Sequence, residues 1–508
     1  MSRLNDLVKA IWNTPHLFRK ILKATILTLV SLVVLYVLVF ALLHAVYWYR
    51  LKNEVALFVA DGGKLDVCQV VPAQRLGRGA RLLKAAGILY LDPYDENIHA
   101  DDSDDPDLQR RNFGEQDRTG TALDKLRHWP ALKLYRTVKP EGSQESTSSR
   151  KAEQPQALAF NDAWLPHLER HLANNQFALE LARKGAEIAE GPFDVDWGSR
   201  GMRALPYHLP LLKKDGMLLH TDAIVSARKG DLAGAMNDVR LILRLRRTVE
   251  DDPVYVSKLV SYALDYLAFW TLQGVLEFGR PDRANIEAVL KELENREASN
   301  SPASALRSET TLGLDFFNDL AWDPSLIYEM SPSRRASSGE RFLARGFRII
   351  WITPADELGY LKTMRKHIAT AGLPYPAMAA VAVRTTRASY RLPFTFHLLG
   401  NWLVPVSDHA FDQLIRLIAT TRMARVVLAA NLYYIDSGRY PDTLDEMASK
   451  YGIGEQIDPY SDKPLIYQRR GDGFIVYSVG PNMTDDGGTW VEGGPTAAAG
   501  DIVWERLK

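Results

Sequence analysis

Two histidines on one predicted helix are the first residues whose spacing suits a metal ion. His167 and His171 are four residues apart, so both imidazoles lie on one helix face, with Glu169 between them. In the HExxH pattern of zinc hydrolases the glutamate directly follows the first histidine and polarises a zinc-bound water. Because the order here is HxExH and no third ligand is indicated, the pattern favours structural histidines.

Other charged and aromatic residues in the predicted helices are explained more simply by packing. Arg307 and Glu309 can form an ion pair, and Asp265 lies in an apolar run, where it needs a partner if it is buried. An aromatic group at helical spacing marks a core stripe. It comprises Tyr255, Tyr262, Tyr266, Phe269 and Trp270. The sequence contains no GxSxG, GxxxxGK[ST] or GxGxxG motif, so it lacks the signatures of common hydrolases, nucleotidases and dinucleotide enzymes.

Composition excludes further classes of protein. The 508 residues are 46% hydrophobic, which suits about three domains with real cores and excludes global disorder. The 62 basic and 62 acidic residues balance, so no net field attracts nucleic acid. The single cysteine, Cys68, excludes an internal disulfide and any CxxC zinc or redox site.

Residues 24–49 carry no formal charge and predict a transmembrane helix, since at 1.5 Å per residue they exceed the ~30 Å bilayer core. Residues 1–23 contain five bases against Asp6 alone, which predicts a cytoplasmic amino terminus. A cleaved signal peptide is the alternative, although its apolar region is only about 7 to 15 residues long. We therefore expect a single-pass protein of the bacterial inner membrane, with the bulk of the chain in the periplasm.

Residues 50–159 predict a collar that contains a flexible insert. Residues 54–91 mix short alternating runs with glycines, which favours a few strands or an irregular collar. The acid run at 101–107 and the Ser-rich segment at 141–156 are typical of mobile loops. Between these loops, residues 122–135 carry enough apolar positions for a short packed helix.

Residues 160–410 predict an extracytoplasmic α-helical bundle, because apolar residues recur at three- and four-residue spacing. Gly230 and Asp231 predict the turn of a helical hairpin, since glycine suits a helix C-terminus and aspartate caps the next N-terminus. Asp282 predicts the start of a further helix. One tetratricopeptide-like unit is suggested near this hairpin, but no second copy follows at the expected period.

Residues 411–508 predict a helix followed by a small sheet. A long helix begins near Leu414, and the runs at 465–468 and 474–479 alternate apolar and polar residues. The segment RRGDG at 469–473 supplies a hairpin turn between them. Because a two-stranded unit is unstable alone, we expect its strands to pack on the helix.

The carboxyl-terminal residues contain a series of short elements in a fixed order: Tyr440-Pro441-Asp442-Thr443-Leu444, Asp458-Pro459, Pro464-Leu465-Ile466-Tyr467, Tyr477-Ser478-Val479-Gly480, Gly487-Gly488 and Asp501-Ile502. In this order they resemble the globular domain of the type II secretion major pseudopilins. The resemblance covers roughly the last fifth of the chain. It implies a small α+β module and partners in a secretion or pilus-type machine. Pseudopilins carry a processed leader before a Phe-Thr-Leu-x-Glu helix, whereas this chain offers only Phe18-Arg19-Lys20, so we expect no processed filament subunit.

The resemblance also implies calcium, which family members bind in the Gly-Gly loop. Its ligands here would be Asp485, Asp486 and Asp501, although Asn482 stands where an aspartate is usual. Calcium takes about six to eight oxygens, which these carboxylates and nearby carbonyls can supply. Calcium should then raise the unfolding temperature, and Asp486→Ala or Asp501→Ala should remove that gain without lowering the calcium-free stability. A glycine-rich turn with solvated aspartates is the alternative.

The sequence thus predicts a mainly α protein with three parts: a transmembrane helix, a helical bundle and a pseudopilin-like α+β module. We expect a non-enzymatic scaffold or docking component of the envelope, with no catalytic residues and no cofactor besides calcium. Its expected partners are the membrane and envelope proteins, possible members of a type II secretion or pilus-like system, and not nucleic acid. The alternatives are a periplasmic metal-dependent hydrolase, whose carboxylates or histidines meet only in three dimensions, and a small-solute-binding protein.

Overall fold

A computed structural model of the protein describes residues 15–71, 76–91, 160–200, 204, 206–294, 302–322, 326, 353–378, 381, 403, 407–488 and 500–506. These residues are mainly helical, with one small antiparallel sheet near the carboxyl terminus. The predicted loops at 101–107 and 141–156, and the predicted helix at 122–135, lie outside the described residues.

The elements are named here in chain order. The helices are α1 Pro15–Ala60, α2 Arg78–Leu89, α3 Leu165–Asn174, α4 Gln176–Ile188, α5 Trp197–Arg200, α6 His208–Arg228, α7 Leu232–Leu245, α8 Tyr255–Phe278, α9 Arg283–Leu293, α10 Ala303–Trp322, α11 Thr353–Ala371, α12 Ser407–Ser437 and α13 Asp445–Ala448. The strands are β1 Ile466–Arg470, β2 Gly473–Ser478 and β3 Ile502–Arg506.

The chain divides into two compact units. The first comprises Met1–Leu65, Gly313–Arg365 and Arg391–Val404. The second comprises Asp66–Leu312, Lys366–Tyr390 and Pro405–Lys508. Helices α10 and α11 each contribute residues to both units, and the candidate site described below belongs to the second unit.

In the first unit, α1 is a 46-residue helix about 69 Å long, roughly twice the thickness of a bilayer core. Its segment Leu22–Ala60 is long and apolar enough to cross a membrane. Beyond the predicted span, the helix continues to Ala60, where Phe58 is buried and Arg365 pairs with Glu54 and Asp61. The alternating run at 55–60 is therefore helical, and the prediction of strands there is wrong.

In the second unit, residues 78–89 of the predicted collar form a helix and not a strand. Helix α2 buries Leu83 and Ala86 and packs against α4. Gly77, just before α2, permits a close approach, because a Cβ there would lie 2.4 Å from the Cα of Gly191. The glycines that suggested irregular structure thus bring two chain segments together.

The predicted helical hairpin is confirmed. Helix α6 ends at Arg228, and Gly230 takes the left-handed conformation with φ of +92°. The Asp231 carboxylate then accepts a 2.9 Å hydrogen bond from the amide of Gly234 at the start of α7. Asp282 likewise caps α9 by accepting from the amide of Asn285, as the sequence predicts.

The carboxyl-terminal part of the second unit, residues 407–506, is called the C-terminal module below. Its sheet has the order β1-β2-β3, and both neighbours run antiparallel to β2. The predicted hairpin is confirmed, and β3 adds a third strand in which Trp504 lies opposite Val476. Because β2 is central and the sheet packs on α12, all of β2 is buried.

Candidate functional site

The connection between β2 and β3 brings the predicted calcium ligands into one loop. Ser478 at the end of β2 lies opposite Ile502 at the start of β3, so the connection leaves and re-enters the sheet at the same place. This register puts Asp501 beside the segment Asp485–Gly488. The sequence therefore predicts correctly that these residues are neighbours, and the contacts of each carboxylate decide what they do.

Each of the three aspartates accepts hydrogen bonds from the protein itself. Asp501 accepts from the amide of Asp486 at 3.1 and 3.2 Å and from the amide of Gly488 at 2.7 Å. Asp485 accepts from the Tyr477 hydroxyl at 3.1 Å and from the Gly487 amide at 2.9 Å. The remaining carboxylate, that of Asp486, accepts from the side-chain amide of Asn482 at 2.7 Å.

Burial shapes the titration of this loop. Asp501 is 1% exposed, and burial raises its pKa above the usual value, while the two backbone hydrogen bonds lower it and the nearby carboxylates raise it. Burial, the hydrogen bond to Asp485 and the charges of Asp485 and Asp501 raise the pKa of Tyr477 to about 12. The Tyr477 hydroxyl is consequently a donor at neutral pH.

These donors count against a calcium site in the arrangement observed. A carboxylate oxygen has two lone pairs, and Asp501 Oδ2 uses both on the amides of Asp486 and Gly488. In the part of the chain that the structure describes, no group of three or more His, Cys, Asp and Glu residues is arranged to hold a metal ion. The described residues of the loop therefore do not fit calcium in this arrangement, and calcium binding stays a prediction from the resemblance.

A fourth carboxylate, Asp458, fixes the start of the same connection. It is 1% exposed, and it accepts from the amides of Tyr460 at 3.1 Å and Val479 at 3.0 Å. The hydroxyls of Ser461 and Ser478 donate to it as well, at 3.1 and 2.7 Å. The sequence contains Asp458-Pro459 as a shared element but gives no sign of this role, because two of the donors lie about twenty residues away.

Tyr440 and Pro441, which follow α12, both contact the sheet. The Tyr440 ring is buried and lies edge-on against Phe474 at 4.8 Å between ring centres. The Tyr467 hydroxyl donates to the carbonyl of Pro441 at 2.9 Å. The residues that carry the pseudopilin resemblance are thus core and loop anchors of the module.

The described residues of the second unit that precede residue 407 are called the helical region below. Arg280, between α8 and α9, links this helical region to the C-terminal module. Its guanidinium carbon lies 3.3 Å from the centre of the Tyr434 ring and 5.8 Å from that of Tyr440. A cation over an aromatic face is attracted by the ring quadrupole. The sequence did not single out this contact, since the partners are about 150 residues apart.

In the HxExH pattern, His171 packs against an aromatic ring, Glu169 forms an ion pair, and His167 is half-buried. His171 is buried, and its ring lies edge-on to Tyr90 with 5.5 Å between ring centres. Its Nδ1 is 3.4 Å from the side-chain nitrogen of Asn175. Glu169 pairs with Lys229 at 2.7 Å, so it faces a cation of the hairpin turn.

The other charged candidates have structural partners. Asp265 is fully buried with Arg246 4.0 Å away, which confirms that it needs a partner. Glu309 accepts a 2.7 Å hydrogen bond from the amide of Tyr255 at the start of α8. Burial raises the pKa of Glu309 to about 7, although this hydrogen bond lowers it. Both carboxylates therefore stabilise helix packing.

One His-Asp-Ser group does meet only in three dimensions. Asp252 Oδ2 lies 2.8 Å from His208 Nε2 and accepts a 2.6 Å hydrogen bond from the Ser257 hydroxyl. In a serine hydrolase the hydroxyl bonds to the imidazole, which acts as its base. Here the serine contacts the carboxylate instead, and all three side chains are buried. The geometry is that of a clamp between the starts of α6 and α8.

A cleft of about 450 Å³ opens between α12, the turn after α11 and residues 457–462. Its walls include Leu373–Pro376, Leu414 and Pro459, so they are largely apolar and contain prolines. Arg422 supplies a charge: it lies over Tyr375 at 5.6 Å and donates to the carbonyl of Ile457. The cleft suits an apolar or extended ligand with a polar end.

Comparison with known proteins adds no identity to this geometry. No protein-family model, no curated protein and no solved structure matches the chain. The candidate features are accordingly described by their own contacts. They are a loop whose carboxylates accept hydrogen bonds from the chain, an arginine stacked on a tyrosine, and a largely apolar cleft. The resemblance of the module to pseudopilins stays a prediction from the sequence elements.

Proposed function

We propose that the protein is a non-enzymatic, membrane-anchored scaffold or docking component of the bacterial envelope. The observation that carries this proposal is α1, whose most apolar stretch contains no residue that the described part of the chain buries. Such a surface is stable only when lipid or another apolar partner covers it. The same helix continues beyond the span and bonds to α11 through Arg365, so the anchor is continuous with a folded unit.

The proposed topology puts residues 1–23 in the cytoplasm and the bulk of the chain in the periplasm of a bacterium, anchored in the inner membrane. Its basis is the excess of bases before the span. A reporter that is active only in the periplasm, fused after Lys508, should be active. Activity of a cytoplasm-only reporter at that position would reverse the topology.

The proposed docking surface is the cleft beside the C-terminal module. It lies where the pseudopilin-like sequence elements meet the helical region, and its proline-rich wall is an apolar surface for a partner segment. The partner class, a secretion or pilus-like envelope machine, comes from the sequence resemblance alone. An envelope protein that inserts an apolar segment into the cleft fits this proposal.

Co-purification of the full chain in mild detergent tests docking. Leu373→Glu puts a charge on the apolar rim of the cleft, and Leu373 is 39% exposed, so folding should tolerate it. Val256→Glu is the matched control, because Val256 is 45% exposed on α8 and does not line the cleft. A stoichiometric partner should remain with wild type and the control and be lost with Leu373→Glu. Absence of any stoichiometric partner from wild type would contradict docking.

The cleft also supports a second candidate function, the binding of a small solute. A volume of about 450 Å³ lies within the range of small-molecule sites, and Arg422 puts a cation in its wall. Denaturing the wild-type protein should then release an organic compound that mass spectrometry detects. The same compound should be absent from the Leu373→Glu variant. Release of the same compound by both proteins would exclude the cleft as its site.

A further inference from the structure

The β2–β3 loop presents hydrogen-bond donors where a calcium site would present oxygens. The amides of Asp486 and Gly488 both point at the carboxylate of Asp501. Gly487 lies between the two residues that donate, and Gly488 is one of them. Their φ angles are +71° and +72°, in the left-handed region that glycine occupies without strain. Successive amides in such a turn form a concave nest that attracts an anion.

The anion in this nest belongs to the chain. Asp501 directly precedes β3, and its carboxylate is 1% exposed, so the sheet holds it in place. The turn cannot move away easily either, because Gly488 lies against the sheet: a Cβ there would be 2.8 Å from Ile475 and 3.3 Å from the Tyr477 ring. A rigid strand end and a close-packed turn therefore face each other through charge-assisted hydrogen bonds.

The other two aspartates accept hydrogen bonds from side chains. Tyr477 donates its hydroxyl to Asp485, and Asn482 donates its side-chain amide to Asp486. Asn482 stands where the resemblance leads one to expect an aspartate. An amide at this position removes one negative charge and adds a donor, which is what a loop that closes without a cation requires.

We infer that the described part of the β2–β3 loop, residues 482–488, is held by the Asp501 carboxylate and that this part needs no metal ion to hold it. In a calcium loop, a cation is bound by oxygen atoms of the loop. Here the charges are reversed, because the Asp501 carboxylate is an anion that accepts hydrogen bonds from amides of the loop. The inference concerns the loop itself and does not depend on the proposed docking function.

The inference reverses one expectation from the sequence. If calcium closed the loop, Asp501→Ala would leave the calcium-free protein nearly unchanged. If Asp501 closes it, Asp501→Ala removes the acceptor of two half-buried amides and opens the loop in the absence of calcium. Asp486→Ala is the matched control, because that side chain accepts only from Asn482 at the surface of the loop and its backbone amide remains.

Hydrogen exchange of the full chain in detergent, read by mass spectrometry on peptides that cover residues 482–488, tests this. In chelator, the wild-type amides should be protected, and millimolar calcium should leave their exchange unchanged. Asp501→Ala should speed exchange in chelator on the order of tenfold or more, and Asp486→Ala should not. Peptides from β1 report whether Asp501→Ala unfolds the whole module. In that case Asp501→Asn, which keeps the shape and one acceptor oxygen, should give an intermediate rate.

Two results would overturn the inference. One is a wild-type loop that exchanges freely in chelator and becomes protected when calcium is added. The other is an Asp501→Ala protein whose loop exchanges at the wild-type rate in chelator. The first result would return the loop to the calcium site that the resemblance implies, and the second would show that the Asp501 carboxylate does not hold the loop.

Discussion

Two buried carboxylates of the helical region and two of the C-terminal module have different kinds of partner. In the helices, Asp238 is paired with Arg183, and Asp265 has Arg246 nearby, so side chains serve as partners. In the module, Asp501 accepts from two backbone amides, and Asp458 accepts from two backbone amides and two serine hydroxyls. The reason is the supply of donors: amides within a helix are already bonded to carbonyls one turn away, whereas amides in glycine-bearing turns are free. Several aspartates can therefore lie close together in a loop without a metal ion when backbone amides of that loop donate hydrogen bonds to them.

Among the tests of this comparison, Asp458→Ala in the module has the largest expected effect. The change removes the common acceptor of two amides and two hydroxyls, so we expect a loss of about 4 kcal/mol in the free energy of opening the sheet. Native-state hydrogen exchange of β2 measures this loss. Glu455→Ala, an exposed position nearby, is the control and should change it by less than about 0.5 kcal/mol. Equal exchange in both variants would remove Asp458 from the account.

The corresponding test in the helices is Arg183→Ala. Asp238 has no exposed side-chain surface, and Arg183 contacts both of its oxygens, at 2.9 and 2.8 Å. Loss of the partner should cost about 3 kcal/mol near pH 8, read by exchange of α7 amides. Lys184→Ala, at an exposed neighbour, should cost about 0.5 kcal/mol or less.

The pH dependence of Arg183→Ala gives a further check. Burial raises the pKa of Asp238 to about 7, while its bonds to Arg183 lower it, so removing Arg183 raises that pKa further. At about pH 5 the carboxyl is protonated in both proteins, and the deficit of the variant should shrink. A deficit that grows towards acid would contradict the pairing.

Glu309→Gln sharpens the comparison, because Glu309 is a helical-region carboxylate that bonds to a backbone amide. Its donor, Tyr255, starts α8, where the first-turn amides have no partner inside the helix. Burial raises the pKa of Glu309 to about 7 from its ordinary 4.5. Since the folded value is the higher one, its contribution to stability is full below pH 4.5 and is lost as the pH rises towards 7.

Glutamine keeps the acceptor oxygen but does not titrate. Between about pH 5 and pH 7 the wild type should therefore lose about 2 kcal/mol more stability than Glu309→Gln. Exchange of α8 amides over this interval provides the measurement. Parallel pH profiles for the two proteins would show that Glu309 does not titrate in this range.

The smallest expected effect lies where the two regions meet. Tyr434→Leu removes the ring under Arg280 while keeping an apolar side chain, so we expect a loss of about 1 kcal/mol. Exchange of peptides from the carboxyl-terminal half of α12 should report it. Ile435→Ala, at an exposed neighbouring position, is the control, and an equal effect there would show that stacking contributes nothing.

The sequence predicted those parts of the fold that depend on local signals. The Gly230-Asp231 turn and the hairpin at 469–473 follow from backbone preferences of adjacent residues. The run at 55–60 misled because short apolar runs fit strand and helix alike, and here the helix propagates from the adjoining span.

The contacts of the candidate site were beyond such reasoning. Asp501 and Gly487-Gly488 were identified together, but residue types do not say whether a loop turns its amides or its carbonyls inwards. Arg183 and Asp238 are 55 residues apart, and the donors to Asp458 come from both sides of a hairpin. Such pairs are fixed by the packing of several elements, which no single segment encodes.

Thermal unfolding of the full chain in chelator and in calcium tests the central claim, that the module balances its own buried charges. The account predicts the same unfolding temperature for the module in both conditions. A calcium site would stabilise the module by about 2.7 kcal/mol at a hundredfold excess over its Kd. A calcium-dependent rise of that size, absent with magnesium and abolished by Asp486→Ala, would contradict the account.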